Sequence, residues 1–230
     1  FKIDSVAIIL IIVLLQFDDW QTKLQFNIIE YIKDIKQKKM LILLLLTAFF
    51  YSHYGVEQTV YTLFMKKKVG LNDIEIGRIF LILGIWISFV TISTGKILKT
   101  RWLILFYAFG LFMCGAFQLL TGFADSFVIL VIFRIAHTCG DAICTLMLGL
   151  IVNYVFEKKR LGFNFGFFLM SQLLASIPFS YISGVMINPT LNNYSSPFYL
   201  NGALIMSASI FILFFRKYLR KIFELDNFNK

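Results

Sequence analysis

The stretch that decides the fold is Ser126–Tyr154, SFVILVIFRIAHTCGDAICTLMLGLIVNY. It is long and apolar enough to cross a bilayer as one helix, which takes about 20 residues. It nevertheless carries three ionisable side chains, Arg134, His137 and Asp141. At about 100° per residue, these fall within roughly 60° of one another on a helix. Because an ionisable group in hydrocarbon costs at least a few kcal/mol, we expect this stripe to face a protein interior or an aqueous cavity.

The composition of the whole chain is that of a membrane protein. Of its 230 residues, 59% are hydrophobic and 15% are charged, and the mean hydropathy is +0.78. Soluble domains contain about 45–50% apolar and about 25% charged residues. The net charge of +9 comes largely from basic residues near the ends of apolar runs, which membrane topology explains better than nucleic-acid binding does. The three cysteines lie within apolar runs and have no metal-binding spacing, so neither a disulfide framework nor a metal site is predicted.

Six membrane spans are predicted, most of them joined by short loops: Met40–Phe64, Ile74–Thr94, Trp102–Gly122, Phe127–Tyr154, Gly162–Ile187 and Phe198–Phe215. Ahead of them, residues 1–17 are interpreted as the end of a truncated span. Residues 18–39 are predicted to form a cytoplasmic loop, whose apolar spacing fits either an interfacial helix or a solvated linker. The predicted fold is all-α, a six-helix bundle over residues 40–216 followed by a C-terminal tail over residues 217–230.

The basic residues also set the predicted orientation. Sixteen Lys and Arg residues flank the spans on one side, and four flank them on the other. Cytoplasmic loops carry the excess of positive charge, so both ends of the six-span block are expected in the cytoplasm. We therefore predict an integral protein of the cell membrane (an inner or plasma membrane) with a cytoplasmic C-terminus.

The charged stripe of the fourth span is a candidate proton carrier. Histidine exchanges protons near neutral pH, and a carboxylate four residues away can pass a proton to it. We predict that Asp141, together with His137, takes up and releases a coupling proton. Arg134 would neutralise a carboxylate, either one on another helix or one on an anionic substrate. The alternative is a buried pair that only locks two helices together.

A second set of polar residues lies on the first span. Tyr54, Glu57, Gln58 and Tyr61 share one face at helical spacing, and Tyr51 and His53 lie on its flanks. Glu57 lies at about the depth of Arg134, so an ion pair between the two spans is expected. Tyr51, Tyr54 and Gln58 are predicted to contact a solute. The alternative for the tyrosines is an interfacial aromatic belt, which fits Tyr61 better than the other two.

The fifth span carries packing signals. Gly162 with Gly166, and Ser180 with Gly184, have the spacing of small residues that lets two membrane helices approach closely. Motifs of common enzymes are missing from the sequence: it contains no GxxxxGK[ST], no G-x-S-x-G and no HExxH. No enzyme activity, cofactor or bound metal is predicted.

The layout resembles the C-terminal half of a major facilitator superfamily transporter. Residues 64–77, FMKKKVGLNDIEIG, resemble the family's outer loop between helices seven and eight. Residues 95–101, GKILKTR, resemble a degenerate copy of the glycine-and-basic loop between helices eight and nine, with Lys99 near the place of its usual acid. Arg134 followed by Gly140 resembles the arginine-and-glycine pattern of helix ten.

The resemblance implies two six-helix halves that rock about a central site lined by helices seven and ten. It therefore implies a secondary active transporter that moves a small polar solute by alternating access, which the charged stripe suggests is coupled to protons. The expected partners are the solute, the proton, the lipid bilayer and an N-terminal six-helix half, and not nucleic acid. Two alternatives are a six-span permease subunit driven by a separate ATPase and a non-transporting membrane scaffold or sensor.

Overall fold

The computed structural model describes residues 36–155, 161–187 and 193–225. Six helices in these ranges are long and apolar enough to cross a membrane. We number them α1 (Lys38–Lys67), α2 (Asp73–Ile97), α3 (Leu103–Thr121), α4 (Phe127–Val155), α5 (Leu161–Met186) and α6 (Ser196–Ile222). No strand is found in the described ranges. The prediction of an all-α polytopic membrane protein is confirmed.

Some predicted segments lie outside the described residues. These are the partial span at 1–17, residues 18–35 of the predicted loop, and residues 226–230 of the predicted tail. Within the described part, α6 continues to Ile222, beyond the predicted end of the sixth span at Phe215. Its last turns stay helical because Leu219 is buried against the bundle. Arg220 and Lys221 also suit the negative end of the helix dipole.

Local hydrogen bonds fix the turn between α1 and α2. The side-chain oxygen of Asn72 accepts bonds from the backbone N–H groups of Ile74 and Glu75, each at 3.0 Å. The Glu75 carboxylate accepts the N–H of Asn72 at 2.9 Å in return. Gly70 has a φ of 79°, a left-handed conformation that glycine adopts without strain. This reciprocal cap begins α2 abruptly and reverses the chain direction.

The six helices pack in the spatial order α2–α4–α3–α6–α1–α5. Each helix makes its extensive contacts with its neighbours in this order, and smaller contacts join α4 to α1 and α5 to both α4 and α6. The helices at the two ends, α2 and α5, are the least covered: 17% of the most apolar stretch of each is buried, against 39–56% for the other four helices. The contact between α1 and α4 thus lies between α2, which packs on α4, and α5, which packs on α1.

Glycines let three pairs of helices approach closely. A Cβ atom on Gly202 of α6 would lie 2.7 Å from the carbonyl oxygen of Gly115 on α3, and one on Gly140 of α4 would lie 2.5 Å from that of Gly110 on α3. Such distances are too short for any side chain, so these helix pairs pack backbone to backbone. The third pair, α1 with α5, meets at Gly55, described with the site below.

The two packing pairs predicted in the fifth span have different outcomes. Ser180 donates its hydroxyl hydrogen to the carbonyl oxygen of Gly55 at 3.2 Å, and a Cβ on Gly184 would lie 3.7 Å from the methyl group of Thr59. That prediction is confirmed, because both residues lie against α1. Gly166, in contrast, faces open space, since a Cβ added there would meet no atom within 4 Å. The prediction that Gly166 mediates helix packing is wrong within the described part of the chain.

One basic side chain links three helix ends. Lys68, just beyond α1, donates to the carbonyl oxygen of Gly122 at 2.5 Å and to the hydroxyl of Ser195 at 2.8 Å. Gly122 follows α3 and Ser195 precedes α6, so these bonds hold the ends of α1, α3 and α6 together. Burial lowers the pKa of Lys68, and the carboxylate of Asp125 partly opposes that shift.

We expect Gly202→Ala to destabilise the bundle, because the added methyl group would lie 2.6 Å from the backbone nitrogen of Leu119. Overpacking of this kind costs about 1–3 kcal/mol. The matched control is Gly149→Ala on α4, where nothing lies within 4 Å and alanine gains up to about 1 kcal/mol of helix propensity. Thermal unfolding of the purified protein in detergent measures both variants, and equal stabilities would contradict the close packing of α3 and α6.

Candidate functional site

The winding of α1 changes at the level of the site. Residues Glu57–Tyr61 form a π-helical turn between two α-helical segments, Lys38–Val56 and Thr62–Lys67. Just before it, the backbone of α1 meets α5, since a Cβ on Gly55 would lie 2.7 Å from the backbone nitrogen of Ser180. Single π turns inside α-helices are frequent at functional sites. This turn begins at Glu57, the acidic residue predicted from the sequence.

Glu57 and Arg134 form an ion pair between α1 and α4. Nη2 of Arg134 donates to Oε1 of Glu57 at 2.5 Å, and Nη1 donates to Oε1 of Gln118 at 3.0 Å. The guanidinium also lies 4.7 Å from the ring centre of Tyr61. The side chain of Arg134 is 3% exposed and that of Glu57 is 15% exposed. The predicted contact is confirmed, and each charge depends on the other because both are largely removed from water.

Asp141 lies between two histidines on the same buried surface. Its Oδ1 lies 3.1 Å from Nε2 of His53 on α1, and its Oδ2 lies 3.4 Å from Nε2 of His137 on α4. Nε2 of His137 also lies 3.2 Å from Oε1 of Glu57. A series of contacts therefore runs Arg134–Glu57–His137–Asp141–His53 and crosses between α1 and α4 three times. We call these five residues the charged cluster.

The remaining ring nitrogens determine where the histidine protons are. Nδ1 of His137 lies 2.9 Å from the carbonyl oxygen of Cys114, and Nδ1 of His53 contacts the carbonyl oxygen of Phe50. A carbonyl oxygen only accepts hydrogen bonds, so each Nδ1 must carry a hydrogen. A neutral imidazole then has no hydrogen on Nε2, the atom that faces the carboxylates. Each Nε2 contact is favourable only when a further proton lies on the imidazole or on the carboxylate.

The two Nε2 atoms are buried and, although they lie at ion-pair distance from carboxylates, are not aligned with them as hydrogen bonds. A bare Nε2 facing a carboxylate oxygen has no reason to align, because both atoms are acceptors. Proton transfer along the cluster therefore needs a small rotation of an imidazole or a bridging water molecule. The arrangement can bind a proton without holding it in one fixed bond.

Helix α3 supports the cluster from behind. Gln118 holds Arg134, and the thiol of Cys114 donates to Oδ1 of Asp141 at 3.1 Å. The sequence placed His53 only on the flank of the polar face of the first span, and Gln118 only as a polar group that reaches a cavity or bonds a neighbouring helix; Cys114 was not predicted to lie in the site. His53 lies four residues before Glu57, the same spacing as His137 and Asp141, so this spacing could have identified it. Gln118 shows only as a polar residue in an apolar span and Cys114 gives no signal at all, because the packing of α3 brings both of them to the cluster.

The other predicted site residues lie at the edge of the cluster or away from it. The ring of Tyr54 lies 4.2 Å from that of His53 and stacks on that of Tyr51 at 5.2 Å. Tyr51 is buried, Tyr54 is partly exposed and Gln58 is exposed. Tyr61 is buried beneath Arg134, so the alternative of an interfacial aromatic belt does not apply to it. Nothing in the geometry tests whether Tyr51, Tyr54 or Gln58 contacts a solute, and that role stays a prediction.

Two triads within the described residues have donor atoms close enough to hold a metal ion: His53, Glu57 and His137, and Cys114, His137 and Asp141, each within 4.8 Å. The charge balance of the cluster favours a proton instead. With both imidazoles neutral, its two carboxylates and one guanidinium leave a net charge of about −1, which one proton neutralises and a divalent ion exceeds. In the first triad the guanidinium of Arg134 already contacts Oε1 of Glu57.

The fold and the charged cluster define a class: an all-α polytopic membrane protein with an ion-pair network buried between two of its spanning helices. Comparison with family models, curated proteins and solved structures gives no match to this chain. The function must therefore be inferred from the geometry and charge of the cluster.

We expect Glu57→Gln to destabilise the protein by about 3–5 kcal/mol, because it leaves the buried charge of Arg134 without a counter-ion. The double variant Glu57→Gln/Arg134→Gln removes both charges and should recover much of that loss. Unfolding of the wild type, both single variants and the double variant gives the coupling energy directly. Additive effects of the two substitutions would contradict the ion pair.

Proposed function

We propose that this chain is the C-terminal half of a proton-coupled secondary transporter of the major facilitator type, which moves a small polar solute by alternating access. The observation that carries the proposal is the charged cluster between α1 and α4. Helices that only had to pack would gain as much from apolar residues, because buried ion pairs rarely recover their desolvation cost. Carboxylate and histidine chains inside membrane spans are typical of proton relays.

The arrangement of the helices supports the proposal. In the family that the sequence resembles, helices seven and ten line the central site, and these correspond to α1 and α4. The two helices meet between α2, which packs on α4, and α5, which packs on α1. The cluster is most accessible at Glu57, next to the partly exposed Tyr54 and the exposed Gln58. A solute that approached this surface would meet Tyr54 and Gln58 first, with Glu57 and the proton-binding groups next to them.

The need of the charged cluster for one added proton can couple solute transport to proton movement. Without an added proton, Nε2 of His53 and Nε2 of His137 both face carboxylate oxygens as acceptors. One proton shared with Asp141 removes the excess negative charge and links α1 to α4. Its release weakens the contacts between the two helices, so protonation favours one arrangement of α1 and α4 over the other. Proton binding is thereby coupled to the movement of α1 relative to α4.

The ion pair can respond to the solute. Oε1 of Glu57 accepts from Arg134 and also lies 3.2 Å from Nε2 of His137, which becomes a second donor to the carboxylate when it takes up the added proton. A solute carboxylate that reached Arg134 would displace Glu57 towards His137. In the absence of such a solute, Arg134 is neutralised by Glu57.

We place the ends of α1 and α6 that carry Lys38, Lys39, Arg216 and Lys217 on the cytoplasmic side of a cell membrane, because basic residues predominate there.

We expect Asp141→Asn to abolish uphill solute accumulation while sparing exchange of solute across the membrane, because the asparagine cannot take up the coupling proton. The measurement uses the full-length protein in proteoliposomes, with a panel of labelled amino acids, sugars, nucleosides and carboxylic acids, with and without an inward proton gradient. The matched control is Asp125→Asn, an exposed carboxylate outside the cluster. Equal loss of accumulation and exchange in Asp141→Asn would contradict the proton role, and ATP-dependent uptake would indicate the permease alternative.

We expect His53→Gln to change the pH dependence of transport more than its maximal rate. The glutamine amide can occupy the place of Nε2 and donate to Asp141, but it does not titrate. Accumulation should then vary less steeply with pH, because histidine is the side chain that changes charge near neutral pH and glutamine does not. A pH profile identical to that of the wild type would show that His53 only fills space beside Asp141.

A further inference from the structure

The structure assigns a second site, remote in sequence from the charged cluster: we propose that a cavity between the start of α3 and the end of α6 binds the head group of an anionic phospholipid. The cavity has a volume of about 340 Å³. Four basic side chains line it, Arg101, Arg216, Lys217 and Arg220, together with Trp102. No acidic residue of the described chain is among its lining residues.

The walls of the cavity are held in place although their charges repel one another. The guanidinium of Arg220 on α6 donates to the carbonyl oxygen of Arg101, which precedes α3, at 2.7 Å. The guanidinium of Arg101 lies 5.2 Å from the ring centre of Trp102. Arg101, Arg216 and Lys217 bring three like charges to one small cavity, which raises its positive potential, and a bound anion relieves their repulsion. Arginine pairs well with phosphate oxygens because its guanidinium can bind two of them at once.

The depth of the cavity matches that of lipid phosphates. Residues 197–215 of α6 contain no charged side chain and end directly at Arg216. At about 1.5 Å per residue this stretch is close to 30 Å long, the thickness of a bilayer's hydrocarbon core. Residues 102–124 are likewise uncharged and begin directly after Arg101. Since α3 and α6 are antiparallel, both arginines lie at the same boundary, where Trp102 is also typical.

Apolar surface continues from the cavity along the bilayer. Leu105 lines the cavity on α3, and the residues one and two turns deeper on its helix face, Phe109 and Phe112, are exposed. Lys217 lines it on α6, and the corresponding deeper residue Leu213 is exposed as well. This surface suits acyl chains below a head group in the cavity. This apolar surface favours a phospholipid over a soluble phosphate, because a soluble phosphate would contact the basic residues only.

The test measures lipid binding to the full-length protein by native mass spectrometry and by thermal stability in detergent. The probes are phosphatidylglycerol, phosphatidylcholine, and the soluble anions glycerol phosphate and inorganic phosphate. We expect phosphatidylglycerol to bind and stabilise the wild type more than phosphatidylcholine does. Arg216→Gln/Lys217→Gln should weaken its binding about tenfold or more, since each basic residue near an anionic lipid contributes roughly a fewfold change or more in affinity.

The matched control is Lys96→Gln/Lys99→Gln, which removes the same charge from the same end of the bundle, outside the cavity. It should leave the affinity within about twofold of the wild type. Equal weakening in both double variants would overturn the proposal in favour of general surface charge. Stabilisation by inorganic phosphate as strong as that by phosphatidylglycerol would overturn it in favour of a small-anion site.

Arg216 and Lys217 are both exposed. If the double variant does not fold, the single variant Lys217→Gln replaces it, with a smaller expected loss of lipid affinity.

Discussion

The pairing of Arg134 with Glu57 is the constraint on which the rest of the structure depends. A guanidinium keeps its charge at any physiological pH, so a buried Arg134 requires a carboxylate at its own depth. That carboxylate comes from another helix, which forces α1 and α4 to meet at this level. Once they meet there, His53 and Glu57 on one helix face His137 and Asp141 on the other. The Arg134–Glu57 pair fixes the level at which α1 and α4 meet, and the spacing of one helical turn then brings the other members of the charged cluster into contact.

Helices α3 and α1 contribute to the charged cluster in different ways. Helix α3 packs backbone to backbone on α4 at Gly110 and on α6 at Gly115, and it supplies Cys114 and Gln118 to the cluster. Helix α1 contains the π turn at Glu57, where the winding already departs from a regular α-helix. The π turn therefore places Glu57 where the winding of α1 is irregular, while α3 holds α4 and α6 at close range.

The sequence predicted the helices well because each span is a long apolar run with polar ends. It also predicted the Glu57–Arg134 contact, since the depth of a residue in a span can be counted along the chain. It marked Gln118 only as a polar residue in an apolar span and did not mark Cys114, because the contacts of both with the cluster come from the packing of α3 beside α4. The π turn and the burial of Tyr61 were missed for a related reason: a regular helical repeat was assumed through residues 57–61. Arg101 and Arg216 were each explained by topology, and only the packing of α3 on α6 brings them to one cavity.

The central claim is that His53 and His137 hold their Nδ1 hydrogens against backbone carbonyls and exchange a proton at Nε2 with the carboxylates. These are the two histidines of this chain. Solid-state NMR of the protein in bilayers, with isotope label at the histidine nitrogens and His53→Gln and His137→Gln variants for assignment, reports the protonation of each nitrogen as pH is changed. The account predicts that both Nδ1 atoms stay protonated throughout, while an Nε2 proton is gained at low pH and lost at high pH. Imidazoles that remain neutral with the hydrogen on Nε2 at every pH would contradict it.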